Sequence, residues 1–71
     1  MARKVTIGEK VQMFRASRGL SQGKLARKAG MERTHLLRIE ADKVIPGAVT
    51  LAKLAKALGT TPSALLLGWR G

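Results

Sequence analysis

The groups in this chain that could do chemistry are few, and several fall together in the stretch Glu32-Arg33-Thr34-His35-Leu36-Leu37. That stretch holds one of four carboxylates and the single histidine, in a chain with 14 Lys and Arg. Catalysis needs convergent groups: a nucleophile, a base within reach and something that orients the base. His35 has no second histidine or cysteine to work with, and Glu32, three residues earlier, is the partner its spacing offers. Ser17, Ser21 and Ser63 are better explained as surface or helix-capping residues. "GLSQGK" at 19–24 is one residue short of a phosphate-binding Gly-rich loop, and no strand precedes it. A lone histidine without cysteines also makes a structural zinc site unfavourable. The expectation is a chain with no enzymatic activity, no metal and no cofactor.

What remains is charge and the way it is displayed. The formal net charge is +10 over 71 residues, and it is uneven. Residues 1–38 carry ten Lys or Arg against two Glu, whereas residues 39–71 carry four against one Glu and one Asp. So one-sided a charge repels itself in a compact chain unless something anionic relieves it. Nucleic acid is the leading candidate, followed by an anionic membrane surface and an acidic protein. The start, "MARKVTIGEKV", is basic with no apolar run behind it, and "ALLL" at 64–67 is far too short to cross a bilayer. A chain with no signal peptide, no membrane span and no cysteine fits a reducing compartment, so a cytoplasmic location is expected.

The elements that must position these groups read as short helices with turn signals between them. Proline occurs only at 46 and 62 and β-branched residues never cluster, which disfavours strands. The first helix is expected from about Thr6 to Arg18, with Ile7, Val11 and Phe14 as one apolar stripe, stopped by Gly19. Leu20 then enters the core. Ser21 caps a second helix, "QGKLARKA", that ends at Gly30. Lys24 stands where a capping box would have Glu or Gln, and its charge opposes the helix dipole. The third helix is "RTHLLRIE", entered at Glu32 and ended by Asp42 and Lys43. After a loop through "VIPG", a fourth runs from about Ala48 to Leu58, with Leu51, Leu54, Ala55 and Leu58 on one face and Gly59 after it. Thr61 caps a last short helix that begins at Pro62 and ends near Leu66. Five short helices with tight connections predict a compact all-α fold in a single domain spanning 1–71.

Residues 22–41, two helices joined by a short turn containing Gly, fit a helix-turn-helix. Ala26 is small where the helices cross, and Gly30 can take the positive φ of the turn. At about 100° per residue the third helix has two sides. Leu36, Ile39 and Glu40 face inward, whereas Arg33, Thr34, Leu37 and Arg38 face outward and His35 lies on the flank. The outward set suits a DNA major groove. Arg pairs bidentately with guanine, Thr donates or accepts, and an apolar group meets the thymine methyl. A solvated basic face is the alternative, and an exposed Leu37 argues mildly against it.

These residues carry a resemblance. "LSQGKLARKAG", "RTHLLRIE", Pro46 and "LAKLAKALGTTPSALL" look like the Cro/repressor family of phage-type helix-turn-helix regulators, over roughly residues 7 to 67 and with the spacing kept throughout. The pattern consists of Leu20-Ser21-Gln22, Leu25-Ala26, Gly30, Ile39-Glu40, Pro46 and Leu54-Ala55-Lys56-Ala57-Leu58-Gly59. The resemblance implies a five-helix λ-repressor-like fold. It also implies a third helix in the major groove of a double-stranded DNA operator, and a homodimer on a near-palindromic site. By position it assigns base reading to Arg33, Thr34 and Arg38, beside Leu37, and phosphate contact to Gln22 and Lys43. It makes Arg15 and Glu40 an internal pair tying the first helix to the third. An inward, unpaired Glu40 would be costly, which agrees.

The chain also departs from the family. The family often has Gly where Asp42 stands, and it favours polar residues at Val44 and Ile45, so the loop after the third helix is expected to make fewer phosphate contacts or to join another surface. Glu32 replaces a small N-cap. Three readings of it stand: it orients Arg33, it accepts from a cytosine amino group, or it excludes wrong sites by repulsion. At the C-terminus, Leu65 and Leu66 can serve the core, whereas Leu67 and Trp69 are surplus and are candidates for a dimer interface, unless Trp69 folds back as a lid. A second class of function is an antitoxin or adaptor that uses the same fold mainly to bind protein or RNA. The excess of base on the third helix favours DNA.

Overall fold

The structure is a computed structural model and describes residues 5–67. It contains α1 (Ile7–Ser17), α2 (Gln22–Ala29), α3 (Arg33–Glu40), α4 (Ala48–Leu58) and α5 (Pro62–Leu67), with no strand among the described residues. The helices start where side chains take over orphan backbone donors. The Thr6 hydroxyl accepts from Glu9 N while the Glu9 carboxylate accepts from Thr6 N, a complete capping box. Ser21 accepts from Lys24 N, and Thr61 from Ala64 N. Glu32 and Gly47 precede α3 and α4 without a side-chain cap.

Helices α1 to α4 all end in the same way. A residue in the left-handed region follows the helix, and the next amide reaches back across the last turn. At three ends that residue is glycine; after α3 it is Asp42, with φ 60°. There Asp42 N donates to Ile39 O at 3.1 Å and Lys43 N to Arg38 O at 2.9 Å.

The apolar stripes converge on one core. Val11, Leu25, Leu36, Ile39, Leu54, Leu58 and Leu65 are fully buried, with Ala26, Ala29 and Ala55 at the close crossings. Burying a side chain of that size stabilises by about 1.5–3 kcal/mol relative to leaving it exposed. Helix α2 packs on α3 and α4, α1 packs on α3 and α4, and α5 closes against α4 and α1.

Burial is graded at the edge of the core. Of the α1 stripe only Val11 is fully buried; Ile7, Phe14 and also Leu20 are half-buried at the core margin. The Phe14 ring lies 4.9 Å below the Arg18 guanidinium, so its outer face is covered by a cation rather than by core. Leu66, expected to share the core with Leu65, is 42% exposed, because adjacent positions on a short helix point in different directions. Helix α5 also runs one residue further, to Leu67. The side chains of Leu67 and Trp69, and with them the proposed dimer contact, lie outside the described residues.

Candidate nucleic-acid interface

Helix α3 has three buried residues, Leu36, Ile39 and Glu40. Arg33, Thr34, His35, Leu37 and Arg38 are exposed. The burial pattern follows the 3.6-residue repeat, so two guanidiniums, a hydroxyl and an apolar group share the outward side. Glu32, just before the helix, is exposed as well. No hydrogen bond holds its carboxylate as an N-cap.

The inward side is anchored by polar groups. Glu40 is 3% exposed, and Arg15 of α1 meets it with two parallel bonds, Nε to Oε2 at 2.7 Å and Nη2 to Oε1 at 3.1 Å. A forked guanidinium–carboxylate pair fixes orientation as well as distance. Gln22, at the start of α2, donates its amide to Glu40 Oε1 at 3.0 Å. Gln12 of α1 donates to the Glu40 backbone carbonyl at 2.8 Å. One carboxylate therefore joins the first three helices. Burial of this charge is offset by three directed donors, so it does not stand as an isolated ion.

The resemblance assigns Gln22 to phosphate, whereas its amide nitrogen is directed at Glu40. It lies at the rim of an open concavity of about 420 Å³, together with Gln12, Leu37, Arg38 and Lys43. The structure thus brings Gln22, Leu37, Arg38 and Lys43 to one rim, and Lys43 is exposed just after α3.

A second anchor was not read from the sequence. Gly8 lies in the first turn of α1, and a Cβ there would sit 2.4 Å from Ile39 O and 2.8 Å from Glu40 O. The amino end of α1 therefore presses directly on the backbone that ends α3. Asp42 seals the contact: its Oδ2 accepts from the Thr6 hydroxyl at 2.7 Å and its Oδ1 from Gly8 N at 3.1 Å. This gives the carboxylate at position 42 a role that glycine could not fill. Asp tolerates the left-handed region better than most residues, and here its side chain also caps α1. Thr6-x-x-Glu9 was a legible capping signal, and a glycine in a first turn is a hint of close approach. Nothing in sequence spacing pointed to Gln12.

Beside this surface, Val44, Ile45 and Val49 stand exposed, at 37%, 85% and 70%. Among the described residues no helix is long and apolar enough to cross a membrane.

Comparison with known proteins gives a consistent result. A family model described as helix-turn-helix matches residues 11–65. The immunity repressor protein of Bacillus phage phi105 is 39% identical over 62 residues, which cover 87% of this chain and 43% of that protein. The chain therefore spans less than half the length of this curated relative. The restriction-modification controller protein C.AhdI from Aeromonas hydrophila superposes with a TM-score of 0.83 at 33% identity, covering 86% of this chain and 92% of that one. The master regulator for biofilm formation SinR of Bacillus subtilis, solved in complex with DNA, superposes with a TM-score of 0.82 at 31% identity, covering 86% and 98%.

Proposed function

The chain belongs to the helix-turn-helix family, and on that premise we propose that it is a non-enzymatic transcriptional regulator that binds double-stranded DNA sequence-specifically in the cytoplasm. Residues 1–71 act as one DNA-binding domain. Helix α3 enters the major groove, and a homodimer places two such helices about 34 Å apart on a near-palindromic operator. Arg33, Thr34, Leu37 and Arg38 read base edges, with Glu32 and His35 at the flank. Lys43 holds the backbone, and Gln22 does so through the part of its amide not turned toward Glu40. The observation that carries this reading is the exposed Arg33–Thr34–Leu37–Arg38 face on a helix whose other side is locked by Glu40.

Phosphate attraction supplies much of the affinity and makes it fall with salt, whereas the base contacts supply discrimination. The test is selection of bound oligonucleotides from a random pool with purified protein. The expected result is a palindromic consensus whose half-sites lie one helical turn apart. A second reading, an adaptor or antitoxin that docks protein, draws support from the exposed Ile45 and Val49. No enrichment even at low salt would favour it.

A further inference from the structure

The cations are not confined to the α3 side. The carboxyl-terminal parts of α2 and α4 border a groove of about 470 Å³ lined by Arg27, Lys28, Lys53 and Lys56. A neighbouring groove of about 380 Å³ adds Arg18 and shares Lys28 and Lys56 with the first, so the two form one continuous face. All five side chains are exposed, and no carboxylate lines either groove. Neither groove shares a lining residue with the concavity beside α3. Cations in a last helical turn interact favourably with the carbonyl end. That accounts for Arg27, Lys28 and Lys56 singly, and Arg18 donates its Nε to Leu58 O at 2.7 Å while its guanidinium covers Phe14, but neither accounts for Lys53 or for five cations on a face with no lining carboxylate.

The chemistry of the face selects among polyanions. Protein interfaces are anchored by apolar and aromatic groups and are depleted in lysine. Here the exposed large apolar side chains are Met13, Leu37, Val44, Ile45, Val49 and Leu66, and none lines these grooves. An interface rich in lysine and poor in apolar anchors is the kind that meets a nucleic-acid backbone. We propose that the Arg18–Arg27–Lys28–Lys53–Lys56 face holds the phosphate backbone of a second duplex segment, so that a molecule seated on its operator bridges two stretches of DNA. This uses the operator reading only to say that the α3 side is occupied at the same time.

The test immobilises the selected operator, saturates it with protein, washes, and offers a labelled duplex that lacks the operator sequence. Wild type is expected to retain the second duplex. The K28Q/K53Q/K56Q variant, altered only at exposed positions, is expected to bind the operator within about threefold of wild type and to retain the second duplex at least tenfold less. The salt slope of second-duplex capture should shrink by about 2 to 3, at about 0.9 per phosphate contact. No capture by wild type, or equal capture by the variant, overturns the bridging inference and leaves the operator reading standing. Capture of a poly-glutamate peptide without capture of the duplex also overturns it, in favour of an acidic protein. Failure of wild type to bind any selected operator is a failure of the operator reading instead. In that event the phosphate-holding role of the face is read by itself: R33A/R38A protein that binds plain duplex in solution and loses it on K28Q/K53Q/K56Q substitution supports that role, and no such binding overturns it.

Discussion

Single side chains on α3 divide cleanly into those that hold the helix and those that it presents. Arg33 and Arg38 are exposed while Leu36 and Ile39, on the same short helix, are fully buried. Truncating an outward residue should therefore alter recognition without unfolding the domain. Arg33→Ala is expected to weaken binding to the preferred operator by about 1–3 kcal/mol and to relax base preference at one position, with an unchanged melting curve. Competition binding against a panel of single-base operator variants measures this; an unchanged preference would remove Arg33 from the reading set. Lys43→Ala should instead weaken every sequence alike and reduce the salt slope by about one. Titration at several salt concentrations separates that effect from lost discrimination. The outward set was legible from helical phase alone, because 3.6 residues per turn and two buried apolar positions suffice to orient so short a helix.

At the level of elements, α3 is positioned by two clasps on α1. In the first, Arg15 and Glu40 differ in what each leaves behind. Arg15→Ala would leave a carboxylate that is 3% exposed with the neutral Gln22 amide and no cation, whereas Glu40→Ala would leave a guanidinium that is 20% exposed and can reach water. Loss of one partner of a buried pair costs about 3–5 kcal/mol, and Arg15→Ala is expected nearer the upper end and Glu40→Ala nearer the lower. Denaturant unfolding of both variants gives the order; near-neutral values for both would mean that the pair contributes little to holding α3. The second clasp is the contact of Gly8 and Thr6 with Asp42. Gly8→Ala pushes a methyl into two backbone carbonyls that cannot rotate away, and should cost about 1–3 kcal/mol or more. At Asp42 two effects can be separated. Asp42→Ala loses the cap on α1 and keeps the left-handed strain, whereas Asp42→Gly loses only the cap. Asp42→Gly should therefore be more stable than Asp42→Ala by about 1 kcal/mol. Equal stability of the two would mean that the left-handed conformation carries no strain. The helices themselves were readable from caps and glycines; helical phase turned Glu40 inward, and the family resemblance supplied Arg15 as its partner. The Gly8 and Asp42 contacts were not, because they join residues 34 and 36 apart in sequence.

For the whole molecule the governing quantity is a net charge of +10 on 71 residues. Salt weakens both self-repulsion and phosphate attraction, with opposite consequences for folding and for binding. Raising salt from low to physiological strength should raise the melting temperature of the free protein while lowering its affinity for any duplex by orders of magnitude. Thermal melts and binding titrations over the same salt series check both signs together. A melting temperature that falls with salt would mean that the favourable ion pairs outweigh the repulsion. The distribution of the charge matters as much as its sum. One cationic group sits beside the groove formed by α1, α2 and α3, and a second lies at the carboxyl-terminal ends of α2 and α4, with no carboxylate among its lining residues.

The sequence by itself determined the five helices, the side of α3 that faces out, and a strongly cationic character. Each of these is local or additive: caps act over three residues, helical phase over four, and charge is a sum. Only the tertiary structure decided where α1 presses on α3, why Asp42 stands where glycine would be easier, and which lysines form a second face. Those features depend on which backbones approach within van der Waals distance after the core closes. Residues 8 and 39, or 28 and 56, carry no sign of each other until Leu25, Leu36 and Leu54 have packed between the helices.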